Sequence, residues 1–294
     1  MEKFIYYNNK KIFYRIIGKG KPVIFIHGFG EDGNIWNSQA PSNSSQGGGP
    51  TITQPSLFEN SLLISKFRFI IPDLPGSGKS EMIDDMSIEG MAEVIKTIID
   101  TECSQVPPRG GFRGACLIGH SMGGYIALAF AKKYPDKLNA LGLFHSTAYG
   151  DSMEKKSNRQ KGIEFIRRHG AFEFLKTTIP NLFSQRSKDE MPQRIGEFIA
   201  RQDNFSAEAL VSYYEAMMQR PDRTDILQKA TVPVLFIMGE YDYAIPLEES
   251  LKQCHLPEKS YIYILRKSGH MGMLEEPGKA NTILYDFLQS LNDR

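Results

Sequence analysis

A serine hydroxyl becomes a useful nucleophile only when a neighbouring base takes its proton. One serine in this 294-residue chain stands in a sequence suited to such chemistry. It is Ser121, at the centre of Gly119-His120-Ser121-Met122-Gly123, with Gly124 following. An apolar run at 115–118 leads in and a helical pattern leads out, so the pentapeptide reads as a sharp strand-to-helix turn. Such a turn strains its central residue, and glycines on both sides remove the Cβ atoms that would crowd it. The hydroxyl is lifted clear of the sheet, over a helix N-terminus that favours negative charge. The competing reading is a structural glycine-rich turn.

Six histidines compete to be the base. His270 lies in Ser268-Gly269-His270-Met271-Gly272, after a strand pattern and before the closing helix, on the same sheet edge as Ser121. His255 precedes that strand and belongs to the opposite edge. His145 follows a strand but comes before a helical stretch, and His169 lies within that stretch. His120 adjoins Ser121 and is expected to point elsewhere as a packed, hydrogen-bonded ring. An imidazole base needs a carboxylate to fix its tautomer and stabilise its cation. Asp242 in Gly239-Glu240-Tyr241-Asp242-Tyr243 is the choice; Glu240 is the rival, or a loop anchor. The oxyanion formed on attack needs donors. The Met122 backbone N–H is one. The Phe29 N–H of His27-Gly28-Phe29-Gly30 is the other, unless that segment is a simple turn. The order Ser121, Asp242, His270 is that of nucleophile-elbow enzymes.

The elements that must hold these residues alternate. Residues 3–17 read as a hairpin around Asn8-Asn9, followed by strands at 23–27, 67–72, 115–119, 138–144, 232–238 and 260–265. Helical patterns occupy 87–100, 125–134 and 277–291, the first capped by Ser87 with Ile88, Met91, Val94, Ile95 and Ile98 on one face. This predicts an α/β fold, a mostly parallel central sheet with helices on both faces. One stretch breaks the alternation: only helices are expected at 153–169, 171–183, 189–202 and 206–220. We read it as an all-helical cap inserted at a strand's carboxyl end, where ligands of open sheets bind. The divisions are 1–145 and 223–294 for the core and 146–222 for the cap. Phe165, Phe174, Tyr213 and Tyr214 are expected mainly to pack cap helices. The basic residues of the first cap helix, Lys155 to Arg168, form a solvated face. Trp36 lines the entrance or packs. The polar stretches 38–55 and 103–114 are spacers.

Composition narrows the function classes. Lys and Arg number 35 against 34 Asp and Glu, so no bulk field exists to attract nucleic acid or an acidic membrane. No apolar run approaches the length of a membrane span. Three cysteines without ligand spacing argue against a disulfide framework or a zinc site, and a reducing cytoplasm is the expectation.

Taken together, His27–Gly30, Asp73-Leu74-Pro75-Gly76-Ser77-Gly78, Gly119–Gly124, Gly239–Asp242 and Ser268–His270 resemble, in order, an α/β-hydrolase of the helical-cap kind. The resemblance spans most of the chain; the cap and the polar stretches match nothing specific. Asp73 to Gly78 carries over only as a structural turn, and a P-loop reading of Gly78-Lys79-Ser80 fails because Asp73 stands where the leading glycine is needed. Related dehalogenases and epoxide hydrolases carry Asp at the elbow, and Ser121 argues against both. The resemblance implies acyl transfer through an acyl-Ser121 intermediate, with no metal and no organic cofactor. The expected partner is a small or medium-sized apolar carboxylic ester. A thioester, a lactone, a carbon–carbon bond beside a ketone, or mere ligand binding stay open, as does the oligomeric state.

Overall fold

A computed structural model of the chain describes residues 1–37, 57–103 and 114–291. The polar stretch 38–55 lies outside those residues, and so does 103–114 apart from its two ends. Cys103 is a correction: it closes the helix Ile88–Cys103 and is half-buried rather than part of a loop.

Strands β1 (Glu2–Tyr7) and β2 (Lys10–Gly18) pair antiparallel. Asn8 and Asn9 join them with φ of 48° and 63°, the left-handed geometry that a two-residue hairpin turn requires. The remaining strands are β3 (Lys21–Ile26), β4 (Phe67–Pro72), β5 (Ala115–His120), β6 (Leu138–Phe144), β7 (Val234–Gly239) and β8 (Ser260–Leu265). They form one sheet in the order β1-β2-β4-β3-β5-β6-β7-β8, antiparallel at β1, β2 and β4 and parallel from β4 through β8. Every residue of β5 and β7 is buried, as parallel strands covered on both faces must be. The helix Ile88–Cys103 starts where Ser87 Oγ accepts the Gly90 N–H at 3.0 Å, and it buries the expected face.

The strand order positions the site. The chain leaves β3, runs outward to β4, then returns to β5 on the other side of β3. The carboxyl ends of β3 and β5 are therefore neighbours, Ile26 beside Gly119, at a switch point where a crevice opens. Strands β6, β7 and β8 follow in sequence order, and their succeeding loops open on the same edge. After β4, the Asp73 carboxylate accepts the N–H groups of Gly33 (3.0 Å) and Lys79 (2.8 Å), which fixes the structural turn anticipated there.

Between β6 and β7 the chain is helical: Met153–His169, Ala171–Thr178, the 3-10 turn Ile179–Leu182, Gln185–Glu190, Pro192–Ala200, Ala207–Gln219 and Thr224–Gln228. Two helices differ from expectation. The one expected over 171–183 stops being α-helical at Thr178, ahead of Pro180. The one expected over 189–202 is two, parted at Met191. Pro192 disfavours helical geometry in the residue before it and lacks the N–H to continue a helix, so it opens a new one instead.

Asp151 stands where the chain enters this helical cap, and Arg220 where it leaves. The Arg220 guanidinium lies 2.9 Å from Asp151 Oδ1 and 3.8 Å over the Tyr125 ring of the helix that follows Ser121. Asp151 Oδ2 accepts Arg159 Nε at 2.6 Å. Arg159 is thus an exception to the expected solvated basic face, whereas Lys161, Arg167 and Arg168 are exposed. Breaking a buried pair leaves an uncompensated charge. Asp151→Ala should therefore lower the unfolding free energy by about 3–5 kcal/mol, and Asp151→Ala/Arg220→Met by less. Guanidinium unfolding checks this; a single variant as stable as wild type would show the two ends of the cap are held by other means.

Candidate active site

Ser121 sits between β5 and the helix Met122–Lys133 with φ 50° and ψ −115°, a backbone state costly for a residue with a side chain. Neighbouring bonds enforce it. Its N–H donates to the Phe144 carbonyl at 3.0 Å, and its carbonyl accepts from Gly124 N–H (2.9 Å) and Ser146 Oγ (2.8 Å). The flanking glycines are obligatory. A methyl on Gly119 would stand 2.3 Å from the Gly123 backbone, and one on Gly123 2.3 Å from the Ile26 carbonyl oxygen. The helix begins at Met122, three residues before the expected start. The Met122 N–H is therefore one of the four at a helix N-terminus without an intrahelical acceptor.

Asp242 and His270 meet as anticipated: His270 Nδ1 lies 2.8 Å from Asp242 Oδ2, both side chains almost wholly buried. The other carboxylate oxygen accepts the backbone N–H groups of Ala244 and Ile245, each at 2.9 Å. A second imidazole completes the shell. His145 Nδ1 is 3.1 Å from the same Asp242 Oδ2, and its Nε2 accepts the Gly272 N–H at 3.2 Å. Because Nε2 accepts, His145 is neutral and donates through Nδ1. Burial would raise the Asp242 pKa, but the electrostatic pull of His270 and the hydrogen bonds from both imidazoles hold it well below the carboxylate range. Burial pushes His145 below the ordinary histidine value, against the pull of Asp242.

His145 is the residue that sequence alone sets aside, as merely preceding the cap. Its position after β6, on the productive edge, is a usable signal. The decisive fact, a φ of 48° that turns it off the strand toward Asp242, is tertiary.

A second ionic centre lies toward β3. Glu31 Oε2 accepts the Gly28 N–H at 2.8 Å and faces His120 Nδ1 at 3.0 Å. His120 Nε2 faces the His270 carbonyl at 3.0 Å. Both ring nitrogens thus meet acceptors, and the ring is an imidazolium paired with a carboxylate. Burial opposes charge on each, but their attraction prevails, holding Glu31 low and His120 high. His120 is the packed, hydrogen-bonded ring expected of it. Glu31 is not anticipated by any motif.

The Phe29 segment abuts Ser121: a methyl on Gly28 would stand 3.2 Å from Ser121 Cβ. The Phe29 ring stacks on Tyr214 of the cap, 4.4 Å between centroids and 8° between planes. Glu240 pairs with Arg266 at 3.2 Å, as a loop anchor would, and the carboxylate that His270 meets is that of Asp242. His255 and His169 are exposed and outside the group. Trp36 packs, 1% exposed, against Phe25 and Phe144 rather than at an entrance. The Ser121 hydroxyl is bonded to no described residue, so the hydrogen bonds of the site stop at the His270 imidazole. In unliganded enzymes the base-to-nucleophile contact is commonly long and tightens with substrate.

Among the described residues, one group offers three metal-type ligand atoms within 4.8 Å of each other: His145, Asp242 and His270. Each of those atoms is committed to the hydrogen bonds above, which account for the cluster. A strained serine beside a helix N-terminus, with a carboxylate-backed imidazole on the adjoining loop, has the parts for base-assisted attack on a carbonyl. Among the described residues, no helix is long and apolar enough to cross a membrane.

Comparison with known proteins places the chain among hydrolases. Residues 23–281 match a family model described as "Alpha/beta hydrolase family". The chain is 26% identical over 291 residues to a 2-hydroxy-6-oxononadienedioate/2-hydroxy-6-oxononatrienedioate hydrolase of Paraburkholderia phymatum, covering 95% of this chain and 91% of that protein. It is 24% identical over 298 residues to a 2-hydroxy-6-oxo-6-phenylhexa-2,4-dienoate hydrolase of Comamonas testosteroni, again covering 95% and 91%. Among solved structures, a thermophilic esterase from Thermogutta terrifontis matches with a TM-score of 0.82 and 27% identity over 99% of both chains.

The two perturbed histidines act on stability in opposite senses. His145 has a folded pKa below its unfolded value, so beneath about pH 6.5 the unfolded chain binds a proton that the folded one refuses, and stability falls. His120 has a raised folded pKa; its contribution is full below the unfolded value and is lost as pH rises through the folded one. His145→Gln should therefore flatten the stability loss between about pH 6.5 and 5 without touching the alkaline limb. Urea midpoints measured across that range decide it; an unchanged acid slope would mean that His145 is not held neutral.

Proposed function

This chain belongs to the alpha/beta hydrolase family, and we propose that it is a serine hydrolase cleaving a small or medium-sized carboxylic ester. Ser121 is the nucleophile, His270 the base, Asp242 the acid behind it, and the Phe29 and Met122 N–H groups the oxyanion donors. The observation that carries the reading is the 2.8 Å bond from His270 Nδ1 to Asp242 Oδ2, on the edge where Ser121 turns out of β5. The bond fixes the proton on Nδ1 and leaves Nε2 free to accept another.

The steps follow. His270 Nε2 removes the Ser121 proton as Oγ bonds the ester carbonyl carbon. The carbonyl electron pair moves to oxygen, where the two N–H groups hold it. The pair returns, the carbon–alkoxy bond breaks, and the alkoxy oxygen takes the proton from Nε2. Water then attacks acyl-Ser121, giving its proton to Nε2; the acid departs and Oγ recovers that proton. A buried, anionic Asp242 stabilises the imidazolium in both halves. The esterase likeness over the whole chain supports the choice of bond.

The curated relatives support a second reading. Their names describe hydrolases of keto-dienoates, ketones rather than esters, so the bond cleaved there is carbon–carbon. Here the same attack on a ketone would expel carbon, which must take the proton instead of oxygen.

Ser121→Ala should lower kcat on a short p-nitrophenyl ester by a factor on the order of 10⁴–10⁶ and abolish labelling by a fluorophosphonate, with the fold retained. Retention of most of the wild-type rate would refute the nucleophile. Running that ester beside a 2-hydroxy-6-oxo-dienoate tests the bond: a higher kcat/KM on the dienoate would replace the ester reading by the second.

A further inference from the structure

The two sides of the cap are tied to the core differently. Near its centre, the turn Leu182 to Ser187 rests directly on the loop carrying His270, and one carboxylate joins them. Glu275 lies in the short helix Gly272–Glu275 just after that loop. Its Oε1 accepts the N–H groups of Gly269 (2.8 Å) and Met271 (3.1 Å), the residues on either side of His270. Its Oε2 accepts the Ser184 N–H (2.9 Å) and the Ser187 hydroxyl (2.7 Å), both from the cap. The amide between, that of His270 itself, donates to the cap's Leu182 carbonyl at 2.7 Å. Three successive amides of the base loop are thus fixed by the cap or by the carboxylate that also holds the cap. Ser184 Oγ adds a bond to the Lys267 carbonyl at 2.8 Å.

We propose that Glu275 is a positioning residue that makes the placement of His270 depend on the seating of the cap turn Leu182 to Ser187. This rests on the reading of His270 as the base. Each carboxylate oxygen serves one side, so a cap displaced from its seat withdraws two donors from Oε2 and the Leu182 acceptor from His270. The imidazole is then held by Asp242 but no longer aimed by its backbone. A shift of about 1 Å at a catalytic group costs up to about 100-fold in rate. The aromatic stack of Phe29 on Tyr214 ties another part of the same cap to the oxyanion segment. On this proposal cap seating sets the base and the expected oxyanion donor together.

The test uses the full chain and two variants. Glu275→Gln removes the carboxylate; Ser187→Ala removes a cap-side donor whose hydroxyl bonds Glu275 and Ser184 and has no direct hydrogen bond to residues 269–271. On a short p-nitrophenyl ester, Glu275→Gln should lower kcat roughly 10–100-fold with KM within about twofold, and Ser187→Ala should lower kcat several-fold in the same sense. The low-field proton signal of the Asp242–His270 bond should shift or broaden in both, a change that loss of stability alone does not produce. If Glu275→Gln fails to fold, Ser187→Ala carries the test. Wild-type kcat and an unshifted signal in Ser187→Ala would overturn the coupling, whatever Glu275→Gln does. Failure of the underlying reading looks different: the wild type would escape fluorophosphonate labelling, and the low-field signal would still judge the coupling by itself.

Discussion

An ionised carboxylate with 1% of its side chain exposed must find in protein what water would otherwise supply. Asp242 finds four donors: two amides of its own loop and two imidazoles. The amides cost nothing in architecture, since they lie two and three residues ahead. The imidazoles are demanding. One comes from the end of β6 and the other from the loop after β8, on either side of the strand that carries Asp242. Their convergence needs three parallel strands in fixed register, Phe144 beside Ile237 and Gly239 beside Leu265. It also needs His145 bent into a left-handed conformation, and a residue without Cβ at Gly272, where a methyl would stand 2.4 Å from His145 Nε2. These local costs are tolerable because an unpaired buried carboxylate would cost more.

His270 joins this centre to the second one. Its ring is bound to Asp242, while its carbonyl receives His120, whose other nitrogen meets Glu31. Glu31 in turn holds the Gly28 amide at the end of β3. A continuous line of charge-assisted hydrogen bonds therefore crosses the whole working edge of the sheet, from the segment of Phe29 to that of His145. Such bonds are shorter and stronger than neutral ones, and in a dry interior they polarise one another. These bonds tie together the end of β5 and the loops that follow β3, β6, β7 and β8.

What the sequence disclosed follows from how local each determinant is. Strands β4, β6 and β8 were legible residue for residue: β4 and β6 are buried, largely apolar runs, and β8, half-exposed at the sheet edge, is a β-branched and aromatic run, each with punctuation at its ends. Ser121, Asp242 and His270 were legible as candidates because each sits in a glycine-marked loop after such a run. Short helices such as Ser61–Lys66 and Leu247–Leu251 are too brief to show a period, and the break at Met191 hides inside an apolar pattern that looks continuous. Glu31 and Glu275 went unmarked in the sequence, and His145 was set aside, for a common reason. Their partners lie 89, 91 and 97 residues away, and a carboxylate or imidazole with a distant partner looks in sequence like any other polar residue.

The esterase and keto-dienoate likenesses need not conflict. On the reading of Ser121 as nucleophile, an ester and a ketone present the same target, a trigonal carbon whose oxygen becomes negative, and the same two N–H groups serve both. The reactions part at collapse, when the leaving atom is oxygen in one and carbon in the other. An alkoxide takes a proton from an imidazolium readily. A carbon leaving group must first be stabilised by conjugation, and its site of protonation must lie within reach of the base. Both conditions concern where the remainder of the substrate lies, which on that reading falls to the cap. The cap's contacts to Phe29 and to the base loop show which surfaces of the core it can steer, and it is the part of the chain whose sequence matched no specific motif. If Ser121 is the nucleophile, one sheet edge can serve either bond, with the choice left to the groups that hold the leaving half in place.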